Sequence, residues 1–162
     1  GSARALKEIG ITNVIPTCNV THFPECFGMV RTISPRLVGT IVADRQDAEH
    51  LAFMAEFGMR PIDIVAVNVK SHDSGFDIRR VDMGAFLLLR AAAANRRYVT
   101  AAPDPVCYEQ IVAEIVARGG KVPSPELRIK MARIAFQMSA SYDQLVARWM
   151  DEHQEQLLAE LR

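Results

Sequence analysis

Apolar positions along this chain fall into two alternating rhythms, which divide it into helices and strands in turn. Ala3 to Ile9 is built of helix formers with Leu6 and Ile9 on one side, and Gly10 follows where a C-terminal cap sits, so a short opening helix is expected. Asn13-Val14-Ile15 is a brief apolar run, while Thr21 to Gly28 mixes Pro, Cys and aromatics without a period, as a loop does. The apolar run resumes over Leu37 to Ala43. Gln46 to Phe57 then sets Ala48, Leu51, Ala52, Ala55 and Phe57 at helical spacing, and Gly58 stops it. Ile62 to Val69 reads Ile-Asp-Ile-Val-Ala-Val-Asn-Val, a β-branched run that predicts a strand buried on both faces of a parallel sheet.

Beyond that strand, Ser71 to Phe76 is polar and turn-like, and Val81 to Asn95 is an alanine-rich apolar helix. Tyr98 to Ala102 is a second strand, ended by Pro103-Asp104-Pro105, and Tyr108 to Arg118 is an amphipathic helix closed by Gly119-Gly120. After Pro123-Ser124-Pro125 a long helical stretch runs to Arg162, with Leu127, Met131, Ile134, Ala135, Met138, Tyr142, Leu145, Val146 and Trp149 on one stripe. Strands alternating with helices predict an α/β fold around a parallel sheet. Neither an internal repeat nor a low-complexity linker divides the chain, so residues 1–162 are expected to form one domain with a helical C-terminal segment, 125–162. The stripe on that segment can pack on the chain's own sheet, which is the expectation, or on a second subunit. Gly1-Ser2 is either an expression scar or the end of a glycine-rich turn.

Charge narrows the field of partners. Formal net charge is zero, whereas nucleic-acid binders carry a basic excess that displaces counterions, so no nucleic-acid partner is expected. Charged residues interrupt every apolar run before the ~20 residues a bilayer span requires, and no secretory leader is visible; no membrane partner and a cytoplasmic location are therefore expected. Cys18, Cys26 and Cys107 are odd in number and lack ligand-like spacing, so they read as reduced thiols.

None of the common nucleotide, zinc or serine-hydrolase signatures occurs, and His22, His50, His72 and His153 are scattered over separate elements. Three polar clusters do fall where open α/β sheets hold ligands, past the carboxyl ends of strands. They are Gly28-Met29-Val30-Arg31-Thr32, Asn68-Val69-Lys70-Ser71-His72, and Val81-Asp82-Met83-Gly84. The last opens a helix whose free N–H groups can hold an anion, although Asp82 is more simply a helix cap. Together the clusters suggest a pocket for a phosphorylated ligand.

The same segments resemble a known family. Thr21-His22-Phe23-Pro24-Glu25 followed by Gly28 to Pro35 resembles the TGFPE…GRVKTLHP segment of the IMP cyclohydrolase domain found in bifunctional AICAR transformylase/IMP cyclohydrolases. Glu49-His50-Leu51-Ala52, Gly58, Pro61 to Val65 and Val67-Asn68 resemble its EHLA…G…PIDLVVVN run, and Val81 to Gly84 with Leu89 to Asn95 resembles IDIGG…LRAAAKN. Asp104-Pro105…Tyr108 and Ala140…Tyr142-Asp143 match the DP…Y and TAAYD pieces. The matches run in order over nearly the whole chain.

This resemblance implies a methylglyoxal synthase-like fold, a twisted parallel sheet flanked by helices on both faces, with a purine nucleotide monophosphate or aminoimidazole ribotide at the strand ends. It implies closure of the purine ring of formylaminoimidazole-carboxamide ribotide to give IMP, in de novo purine biosynthesis, without metal or redox cofactor. Carried onto this chain, the substrate-binding positions are Arg31, Thr32, Asn68, Asp82 and Gly84, and the catalytic positions Asp82 and Lys70. Several family residues are replaced. The Arg and Lys of GRVKT are Met29 and Arg31, the His of LHP is Ser34, and the Tyr after the strand gives way to Lys70. The second Gly of IDIGG is Ala85, and the Lys of AAAKN, a proton carrier by the same resemblance, is Ala94. The loop from Ser71 to Arg80 is shorter than the family's, and the resemblance starts past the family's SVSDKTG and STGG phosphate cradle. A desolvated Lys70 would have a lowered pKa and could carry the proton instead. Two readings stay open beside ring closure: a catalytically impaired nucleotide-binding or subunit-interaction module, and a cyclohydrolase or lyase for a related phosphorylated substrate. A homodimer or a separate transformylase is the protein partner implied.

Overall fold

The computed structural model of the protein describes residues 2–23, 32–69 and 76–162. Its order is α1 (Ser2–Glu8), α2 (Thr17–Thr21), α3 (Pro35–Val42), α4 (Ala48–Glu56), β1 (Ile64–Ala66), α5 (Met83–Ala94), β2 (Thr100–Ala102), α6 (Tyr108–Ala117), α7 (Pro125–Glu152) and α8 (Gln154–Glu160). The fold is α/β, mostly helical, with a small parallel sheet in which Ile64, Val65 and Ala66 pair with Thr100, Ala101 and Ala102.

Local sequence signals place most helix ends. Gly10 adopts φ +88° after α1, its N–H bonds Lys7 O, and Ile11 N–H reaches back to Leu6 O, a double bond pattern that satisfies the last carbonyls. Gly58, with φ +61°, follows α4 in the same way. Asp47 caps the start of α4 by accepting from Glu49 N and His50 N, and Ser124 caps α7 by accepting from Leu127 N. Pro35 and Pro125 stand in the first turns of α3 and α7, where a missing N–H costs nothing.

The core is organised around α5. Leu89 and Ala92 are fully enclosed, and with Phe86, Ala91 and Ala93 they pack against Val65, Val67, Val99 and Ala101 of the sheet region and Ala132, Ala135 and Tyr142 of α7. Alanines on α5 let the strands and α7 approach closely. Burying Leu89 alone contributes about 1.5–3 kcal/mol. On α7, Leu127, Met131, Ala132, Ala135, Ser139 and Tyr142 form the buried face, with the recurrence of a 3.6-residue helix. The stripe thus packs on the chain's own α5 and β2.

Three expectations need correction. Ile62 to Val69 contributes a strand of only three residues, and Ile64 and Ala66 are exposed while Val65 between them is buried. A β-branched run has the composition of a two-faced buried strand whether or not the second face is covered. Leu37 to Ala43, read only as an apolar run, is the helix α3, with Thr40 and Ile41 buried. The stretch from Pro125 to Arg162 is not one helix, because the backbone at His153 departs to φ −116°. The His153 ring stacks on Trp149 at 4.3 Å, with Nδ1 2.9 Å from Trp149 O, and α8 starts anew beyond it.

Candidate functional site

The strand direction defines two ends of the sheet. At the entry end, Thr100 N–H donates to Asp63 O at 2.8 Å, and Tyr98 and Val99 turn out of α5 by donating to Asn95 O. Asn95 Nδ2 donates to Ile41 O at 2.6 Å and Ala43 O at 3.0 Å, which ties the C-terminal ends of α3 and α5 together. α5 ends beside the entry to β2, where Val99 N–H donates to Asn95 O, so its N-terminal end lies toward the strand exits.

At this exit end the structure gathers three segments. Val67 N–H still pairs with Ala102 O at 3.0 Å, after which Asn68 leaves the sheet with an exposed side chain. Asp82 stands at the head of α5, half-buried, with Oδ1 accepting from Ala85 N at 2.9 Å. The N-cap reading of Asp82 is therefore correct, and it leaves Oδ2 without a hydrogen bond among the described residues. Its backbone N–H donates to the Tyr142 hydroxyl at 3.0 Å. Gly84 is buried in the first turn of α5. The third segment follows β2: Pro103 is fully buried, Asp104 accepts from Val106 N at 2.8 Å, and Tyr108 donates its hydroxyl to Val67 O at 3.3 Å. That last bond joins the start of α6 to the exit of β1.

Burial raises the Tyr108 hydroxyl pKa above its usual range, with the Asp104 carboxylate adding to it. Burial likewise pushes the Cys107 thiol up, again with help from Asp104, so it is protonated rather than a reactive thiolate. Tyr108 thus remains a neutral hydroxyl at physiological pH.

Of the positions expected in the site, Asp82 and Gly84 share one turn of α5, and Asn68 leaves β1 at the same end of the sheet. Thr32 is half-buried ahead of α3, whose C-terminal end is the one tied to α5. Arg31 and Lys70 lie outside the described residues, as do Met29 and His72. Ala94 is exposed at the last position of α5, about 18 Å along the helix from Asp82 at 1.5 Å per residue. Within one chain, then, its change from Lys does not empty the Asp82 turn of a charge. Sequence reasoning gave no role to Tyr108 or Tyr142, although both lie in matched family pieces. A shallow recess lined by residues 151–156, at the junction of α7 and α8, touches none of these segments.

A second polar cluster, at the entry end, was not anticipated. Tyr98 donates its hydroxyl to Asp44 Oδ1 at 2.6 Å, and Arg45 bonds Asp63 Oδ1 and Ile62 O, both at 2.7 Å. Arg45 and Arg97 place their guanidinium carbons 5.5 and 5.3 Å from the Tyr98 ring centroid. The Tyr98 bond, then the Gln46 N–H, holds the Asp44 carboxyl below its ordinary value; the same bond raises the Tyr98 hydroxyl.

The AICARFT/IMPCHase bienzyme family model matches residues 92–162. The bifunctional purine biosynthesis protein PurH of Dinoroseobacter shibae is 36% identical over 94% of this chain and 30% of its own length. That of Persephonella marina is 35% identical over 94% of this chain and 31% of its own. The chain thus spans less than a third of these relatives. The crystal structure of ForH superposes with a TM-score of 0.76 at 28% identity, covering 91% of this chain and 80% of that one. No helix among the described residues is long and apolar enough to cross a membrane.

Proposed function

We propose that this chain, which is similar to the AICARFT/IMPCHase bienzymes, acts in purine biosynthesis, binding a purine nucleotide monophosphate at the strand exits and closing the ring of formylaminoimidazole-carboxamide ribotide to IMP. The observation that carries this reading is Asp82, retained from the family pattern and held at the head of α5 with one carboxylate oxygen fixed by Ala85 N–H and the other uncommitted among the described residues.

Ring closure forms a bond from the carboxamide nitrogen to the formyl carbon and expels the formyl oxygen as water. One proton of that water comes from the carboxamide nitrogen and one from the formylamino nitrogen. The reaction therefore needs orientation of two neighbouring groups and a carrier for protons. On this reading Asn68 positions the carboxamide, Asp82 accepts from its N–H, Lys70 carries the proton, and Arg31, Thr32 and the backbone at Gly84 hold the phosphate.

Calorimetry with IMP and with the aminoimidazole ribotide, beside an assay of ring closure, tests it. Saturable binding with turnover, abolished in Lys70→Met, is expected; no binding of either nucleotide overturns it. The replacements at Met29, Ser34 and Ala85 favour a second reading, a nucleotide-binding module without turnover. Tight IMP binding with no ring closure selects that one.

A further inference from the structure

We propose that Tyr142, on α7, is a positioning residue for the nucleotide site: its hydroxyl holds the Asp82 turn in the orientation that receives the ligand. This rests on the function proposed above. Three observations converge on it.

Asp82 N–H donates to the Tyr142 hydroxyl at 3.0 Å, across a sequence separation of 60 residues. This long-range bond from α7 adds to the local one that Met83 N–H donates to Val81 O at 3.0 Å on the same peptide. Asp82 is also the residue whose side chain caps α5, so the tether holds its backbone while the cap holds its carboxylate.

The hydroxyl is additional to the packing of the two helices. The Tyr142 ring lies 4.3 Å from the Phe86 ring, a contact that phenylalanine would keep. Further along, Arg90 Nε donates to Ser139 Oγ at 2.6 Å and Arg90 Nη2 to Asp143 Oδ2 at 2.7 Å, so polar bonds between α5 and α7 remain when the Tyr142 oxygen is removed.

The position is also enclosed. Tyr142 is 9% exposed, ends the buried face of α7 and belongs to the core cluster around α5. It acts through Asp82, without needing to touch the nucleotide.

The test compares the whole chain with its Tyr142→Phe and Ser139→Ala variants, using IMP as the probe. Affinity is read by calorimetry, unfolding by circular dichroism, and the Asp82 amide by hydrogen exchange. Tyr142→Phe is expected to keep its melting temperature within a few degrees, to speed exchange at the Asp82 amide, and to bind IMP about tenfold more weakly, the scale of a hydrogen bond. Ser139→Ala, which removes a bond between the same helices away from the Asp82 turn, is expected to leave IMP affinity unchanged. Equal IMP affinity in Tyr142→Phe and the parent chain overturns the role of Tyr142 while leaving the functional reading intact. Equal weakening in both variants overturns it as well, because that is general loosening of α5 on α7. A parent chain that does not bind IMP overturns the functional reading, and the positioning role falls with it.

Discussion

The two ends of the small parallel sheet are built differently. At the entry end, side chains are spent on one another: Asn95 on the carbonyls closing α3, Tyr98 on Asp44, Arg45 on Asp63 and Ile62. At the exit end, backbone, capping and tyrosine hydroxyl bonds supply the order, and Asp82 Oδ2 and the exposed Asn68 amide are left over among the described residues. One end is fastened by its polar groups; the other holds polar groups in place without consuming them. A ligand site requires the second arrangement, because a side chain already satisfied inside the protein has little to gain from a substrate.

The sharpest way to break this contrast is at Asn95. Ile41 and Ala43 are both buried, and removal of the Asn95 amide leaves their carbonyls without that donor. Asn95→Ala is expected to lower stability by about 1–3 kcal/mol, measured by urea unfolding, while IMP affinity of the folded protein stays the same. A large loss of affinity would show that the two ends are not separable.

Asp82→Ala is the complementary change. Loss of the cap on α5 is expected to cost only about 1 kcal/mol of stability, whereas IMP binding falls by more than tenfold in calorimetry. If stability collapses and affinity is unchanged, Asp82 is a cap and nothing more.

The smallest effect is one of pH. Asp44 has a lowered pKa in the folded chain, so its contribution is present above the unfolded carboxylate value and is lost as pH falls through the lower, folded one. Tyr98 has a raised pKa, so its contribution is present below the unfolded tyrosine value and disappears as pH climbs through the folded one. Both groups are only half-buried, so the change is modest. Melting temperature followed across pH in the parent chain and Tyr98→Phe is expected to show the entry-end dependence shrinking in the variant, with IMP affinity near neutral pH untouched.

Much of the fold was legible because its signals are local. Gly10, Gly58, Ser124 and Asp82 stand where helix ends need them, and the stripe on α7 has the helical period from Leu127 to Tyr142. The extent of β1 was not legible, since covering of the face that bears Ile64 depends on what else packs there. In the site, Asp82 and Gly84 were visible from their position at a helix start. The Tyr142 and Asn95 side chains could be placed on their helices, but not their bonds, which join residues 60 and 54 positions apart. The entry-end cluster of Asp44, Arg45, Asp63 and Tyr98 carries no spacing signal at all, being assembled by the pairing of β1 with β2 and by the turn after α3.

The central claim is that the exit end, and not the entry end, receives a purine nucleotide. Titrating IMP into the isotope-labelled chain while following backbone amide resonances tests it most directly. The account predicts saturable shifts concentrated at Asn68, Asp82 and Gly84, with Asp44, Arg45 and Tyr98 unmoved. Shifts concentrated at Asp44 and Tyr98, or none at saturating IMP, would contradict it.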